Sequence, residues 1–124
     1  MIIKKICRKI IYKEKSDSES YIKFLKNKGI TIGKDCRFFD PISNIIDIQN
    51  PYMIKMGDNV KITSNVIILT HDYSWSVLSY IKGEMLGGIG KVDIGNNVFI
   101  GMGTIILKNT EIGDNVIIGA GSIV

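Results

Sequence analysis

The sequence predicts an all-β chain wound as a parallel coil of six-residue steps, with a short helix in front of it. Three observations carry that prediction. An aliphatic residue returns at every sixth position through most of the second half, glycine follows it, and asparagine or aspartate occupies the next corner. With 124 residues, 45% of them apolar, the chain is long enough for one domain with its own core, with no need for a disulfide or a structural metal.

The first element is residues 1–28, a basic amphipathic helical segment. Ile2, Ile3, Ile6, Cys7, Ile10 and Ile11 recur at helical spacing opposite Lys4, Lys5, Arg8 and Lys9. Two uses of such a face are open: packing on its own domain or a partner subunit, or peripheral contact with anionic lipid. This segment holds nine basic and three acidic residues. The chain's net charge is +4, so the remainder is −2, which argues against a nucleic-acid partner for the body. Nowhere does the sequence approach the roughly 20 apolar residues of a spanning helix, and lysines interrupt the N-terminal isoleucines where a signal peptide would be continuous. The expected location is cytoplasmic. Cys7 and Cys36 show no metal-ligand spacing and are expected to be buried, reduced thiols.

Residues 29–124 form the second element, the coil. Ile94-Gly95-Asn96-Asn97-Val98-Phe99 is followed in phase by steps opening at Ile100, Ile106, Ile112 and Ile118. Upstream, Ile32-Gly33-Lys34-Asp35-Cys36-Arg37 and Met56-Gly57-Asp58-Asn59-Val60-Lys61 show the same pattern, while residues 38–55 drift out of register. Such spacing fits short strands joined by tight turns in a triangular coil. The aliphatic opening each step fills the axis, and Gly, Asn and Asp at the corners accept positive φ. The phase breaks again after Thr70, leaving an inserted loop, 71–91, that begins with His71 and contains Gly83-Glu84-Met85. Loops of that length in a compact fold are usually functional.

These residues resemble the hexapeptide-repeat acyltransferases, in particular the maltose, galactoside and capsular-polysaccharide O-acetyltransferase branch, over about residues 20–124. The resemblance implies a left-handed parallel β-helix and a homotrimer with active sites shared between subunits. It also implies acetyl transfer from acetyl-CoA to a saccharide hydroxyl. Such a transfer needs a base near neutral pH, which imidazole supplies. His71, the single histidine, stands where the family places its catalytic one. Glu84 matches a family Glu that contacts the histidine, with Asp72 as the rival partner. Met85 corresponds to a residue lining the acceptor site. Asn44 has two readings, an acceptor-binding residue or a turn residue. Met102 and Ala120 match positions where backbone groups hold the pantetheine arm of the donor, and Phe99 stands where many members have Trp.

Met102 replaces a small residue and could narrow the donor groove. Members continue past the position of Val124 with a Thr-Lys segment, another coil and a cap, so the expectation is an incomplete last coil, low stability and weak donor binding. A zinc enzyme on the same coil that needs three histidines is excluded by the single one. The competing reading is a truncated, catalytically weak or inactive hexapeptide-repeat trimer that serves as a binding or structural module.

Overall fold

A computed structural model describes residues 1–85 and 87–124. Each six-residue step contributes a strand of two or three residues, too short to hold itself, so every strand takes its hydrogen bonds from the coils above and below. Three parallel faces result. The first holds β1 (Thr31–Ile32), β4 (Ile54–Met56), β7 (Val92–Ile94) and β10 (Thr110–Ile112). The second holds β2 (Arg37–Phe38), β5 (Val60–Ile62), β8 (Val98–Ile100) and β11 (Val116–Ile118). The third holds β3 (Ile45–Ile46), β6 (Ile67–Ile68) and β9 (Ile105–Ile106), and a parallel bridge from Ile105 to Ile123 extends it. This arrangement fits the left-handed coil that the resemblance implies.

Register explains where the six-residue period is regular and where it slips. Ile94 pairs with Ile112 and Ile100 with Ile118, in each case three steps later, which is one regular turn of the coil. Ile32 pairs with Met56, further along than a regular turn would reach, because the first turn takes longer steps around β3. Met56 pairs with Ile94 across the whole of the inserted loop. The loop absorbs the excess over one turn, leaving the coil and rejoining it without shifting any core position. The axis is filled as expected: Ile94, Ile100, Ile106 and Ile112 are buried, and Ile118 is half-buried against them.

Corners are built by two devices. Asn59, Asn97 and Asn115 take left-handed φ of 56°, 55° and 59°, a conformation asparagine tolerates better than most residues. They also stack: Asn59 Nδ2 donates to Asn97 Oδ1 and Asn97 Nδ2 to Asn115 Oδ1, both at 2.8 Å. The glycines that open these corners do not have positive φ; they are needed for closeness. A Cβ on Gly57 would stand 2.7 Å from the carbonyl oxygen of Gly95, and one on Gly95 2.8 Å from that of Gly113.

The all-β expectation needs correction, because three helices accompany the coil. The N-terminal segment is two helices, α1 (Ile2–Tyr12) and α2 (Ser18–Lys28), separated by a short 3-10 turn. Asp17 caps α2 by accepting from the Ser20 amide at 2.8 Å, and Gly29 ends it at φ 116°. Tyr21 and Leu25 of α2 are buried in the same core as the axis isoleucines, Tyr21 meeting Phe38 edge-on at 5.0 Å. α2 is thus part of the coil's core, whereas α1 buries no residue. Cys7, expected to be buried, is exposed because it lies on α1, and Cys36 is half-buried. The third helix, α3 (Trp75–Lys82), lies in the inserted loop. Among the described residues no helix is long and apolar enough to cross a membrane.

Candidate functional site

The inserted loop leaves and returns beside the end of β6, and its two roots are zipped together. The Gly90 amide donates to Thr70 O at 2.8 Å, the Asp72 amide to Gly88 O at 3.3 Å, and His71 forms an antiparallel bridge with Ile89. Further along, the Ser74 amide donates to Asp72 Oδ1 at 2.8 Å, and Lys108 on the coil reaches Asp72 Oδ2 at 2.7 Å. The Lys108 hydrogen bond, helped by Ser74, lowers the Asp72 carboxyl to about 2. Asp72 is therefore occupied in anchoring the loop.

The partner of His71 comes from one coil earlier. Because Ile46 pairs with Ile68, the residue after β3 lies alongside the residues after β6. Asp47, which is buried, reaches His71 Nδ1 with Oδ2 at 2.6 Å. The same oxygen accepts from the Thr70 amide at 3.0 Å and the Thr70 hydroxyl at 2.5 Å, while Oδ1 accepts from the Gln49 amide at 2.9 Å. Burial alone would raise this carboxyl, but the bonds from Thr70, Gln49 and His71 outweigh it and hold it below its ordinary value. Asp47 is thus a fixed anion, and its contact assigns the proton of neutral His71 to Nδ1. Nε2 is left as the basic nitrogen, with no protein partner among the described residues.

This geometry revises two expectations. Glu84 follows the left-handed C-cap Gly83 of α3, is exposed, and makes no hydrogen bond to His71 among the described residues. The carboxylate that orients the imidazole is Asp47, which the irregular register of residues 38–55 concealed. Asn44, read as an acceptor-binding or turn residue, is fully buried inside the coil. Its Oδ1 accepts from the Val66 amide at 3.0 Å, and its carbonyl accepts from Lys15 at 2.7 Å. It stands in the corner between β2 and β3 with its side chain inside the coil, away from the cleft that His71 lines.

Met85 does share a cleft with His71. The cavity, about 400 Å³, is also lined by Gln49, Asn50, Tyr73, Trp75 and Ile89. The Tyr73 and Trp75 rings stack at 5.5 Å. A Cβ on Gly88 would lie 2.5 Å from Trp75 Cδ1, so glycine there lets the indole close over the loop's return. A wider depression of about 660 Å³ lies between α2 and the second face, lined by residues including Asp17, Arg37 and Lys61, and contains none of the histidine cluster.

On the second face and the corner after it, Phe99, Met102 and Ala120 are all exposed. Phe99 pairs with Ile117, and Met102 O accepts from the Gly121 amide at 2.7 Å, so Met102 and Ala120 belong to stacked corners. Their own amides donate to no acceptor among the described residues. These two backbone amides lie one coil apart on stacked corners. Among the described residues no cluster of metal-ligating side chains occurs.

Residues 91–124 match the family described as bacterial transferase hexapeptide (six repeats). Protein CapG of Staphylococcus aureus is 35% identical over 105 residues, 85% of this chain and 57% of CapG. The crystal structure of a maltose O-acetyltransferase from Clostridium difficile 630 superposes with a TM-score of 0.52 at 28% identity, over 86% of this chain and 64% of that one. Residues 91–124 thus carry the repeat of that transferase family, and the chain as a whole is similar to both of these proteins. It spans a little over half the length of CapG.

Proposed function

We propose that this chain is an O-acetyltransferase that moves an acetyl group from acetyl-CoA to a hydroxyl of a saccharide. The observation that carries the reading is the pair of Asp47 and His71. A carboxylate held ionised fixes the imidazole and leaves Nε2 free at a cleft walled by Tyr73, Trp75 and Met85. In this reading Nε2 accepts the proton of the saccharide hydroxyl while the oxygen attacks the thioester carbonyl. As the carbon–sulfur bond breaks, the same proton passes to the departing sulfur. Asp47 stabilises the imidazolium formed between the two transfers.

The ring faces of Tyr73 and Trp75, with the amides of Gln49 and Asn50, suit an acceptor that is apolar on its ring faces and polar at its edges. Met85 belongs to that wall. The amides of Met102 and Ala120, flanked by Phe99, would hold the amide-rich arm of acetyl-CoA. The name of the maltose O-acetyltransferase matched in fold supports acetyl transfer to a sugar. A homotrimer sharing its sites between subunits, acting in the cytoplasm on surface saccharides, goes with the same reading.

The test is His71→Ala, assayed by thiol release from acetyl-CoA in the presence of saccharide acceptors. Turnover should fall by about 10² to 10⁴ with acetyl-CoA affinity unchanged. Near wild-type turnover would remove His71 from the mechanism. Failure of the unaltered chain to bind acetyl-CoA at micromolar concentration would favour the binding-module reading.

A further inference from the structure

The helix α1 is segregated by charge around its axis. At roughly 100° per residue, Ile2, Ile3, Ile6, Cys7, Ile10 and Ile11 fill about half the circumference, and Lys4, Lys5, Arg8 and Lys9 fill most of the remainder. No residue of the apolar half is buried among the described residues: Ile2, Ile3 and Ile10 are 74%, 76% and 70% exposed, and Ile6 is 53% exposed. A hydrogen bond from Arg8 Nε to Ser16 O at 2.6 Å holds the helix to the turn that follows it. Five isoleucines on one helical face are turned to water, and contiguous exposed apolar surface marks a binding face.

The charge around that face selects its occupant. α1 contains no acidic residue, and Glu14 is the single carboxylate among residues 1–16. A second copy of α1 packed against the first would bring lysines to lysines with no carboxylate to pair them. An anionic bilayer offers an apolar boundary layer for the isoleucines and phosphate charge for the lysines on either side. At 11 residues and with four cations, α1 is suited to lie in the interface and not to span it. We infer that α1 docks this protein on anionic lipid membranes, lying in the plane of the interface with its isoleucine face buried among the acyl chains. The coil, whose core closes with α2, is carried beside that surface through the 3-10 turn.

The experiment is co-sedimentation of the full chain with vesicles of phosphatidylcholine alone or with one-third phosphatidylglycerol, at low and high salt. The expected result is binding to the anionic vesicles alone, weakened by salt. Each lysine contributes about five-fold in affinity at such a surface, so Lys4→Gln/Lys5→Gln/Lys9→Gln should bind on the order of 10² more weakly. Ile6→Glu/Ile10→Glu should abolish binding, and because both residues are exposed, circular dichroism should show the coil intact. Equal binding to both vesicle types, or undiminished binding by the isoleucine variant, would overturn the inference. So would an isoleucine variant that loses self-association while the unaltered chain ignores anionic vesicles, since the face would then belong to a second copy.

Discussion

Asp47 is the residue on which the candidate chemistry turns, because three donors converge on one of its oxygens. Replacing it with asparagine keeps the shape but brings an amide into a pocket lined by donors, leaving a buried polar group unmatched at a cost of about 1–3 kcal/mol. It also releases the His71 tautomer. Asp47→Asn should therefore lower both the melting temperature and turnover, while Glu84→Gln, a change on an exposed loop, should alter neither comparably. Thermal unfolding and thiol-release assays on the two variants check this; equal losses of turnover would return Glu84 to the histidine. The pH dependence has a definite sign. The folded carboxyl is lowered, so its stabilisation is present above the ordinary value of 3.8 and is lost as pH falls from there through the folded value. Asp47→Asn should flatten the stability curve across that acid range and leave its shape near neutrality unchanged.

At the scale of the element, what was legible in the sequence depended on whether period and fold coincide. The steps from Ile94 to Ile118 repeat regularly because each corner spends the same length of chain, so axis positions could be read directly. Around β3 the steps lengthen, and Ile45-Ile46 does not line up in the six-residue phase with Ile67-Ile68, although the coil pairs them. The doubled isoleucine was the one available sign of the match. α1 shows the other limit: its period announces a helix but says nothing about what covers it. The axis assignment has a sharp test. Ile100 is fully buried and Ile117 is 80% exposed on adjacent coils. Ile100→Ala should cost about 2–5 kcal/mol, whereas Ile117→Ala should stay within about 0.5 kcal/mol, both read from denaturant midpoints. The loop offers a second test, since Trp75 is the single tryptophan. Gly88→Ala should displace its indole, shifting fluorescence and raising the saccharide KM more than that for acetyl-CoA.

At the scale of the whole molecule, α3 presents an uncovered apolar face beside the loop. α3 buries none of its residues, and Val77, Leu78, Tyr80 and Ile81 are all about half exposed or more. A helix with that composition gains little from standing alone in water, since each apolar side chain taken out of solvent is worth about 1.5–3 kcal/mol when fully buried. The cleft beside it has walls from the loop and from the stretch after β3, whereas Phe99 lies on the second face of the coil and Met102 and Ala120 on the corners after it. A second subunit laid against α3 would cover these residues, and in the shared-site homotrimer proposed above it would also bring its donor corners toward His71. On the homotrimer proposed above, the chain should sediment at about three times its 13.8 kDa mass, and Leu78→Glu/Ile81→Glu should shift it toward the monomer and lower turnover together. A subunit carrying His71→Ala, mixed with one carrying Ala120→Trp, should regain part of the activity that each lacks alone, because some interfaces in the mixture would join an intact histidine to an intact donor corner. A fully active monomer in sedimentation, or no recovery on mixing subunits shown to exchange, would mean that each chain builds its site alone.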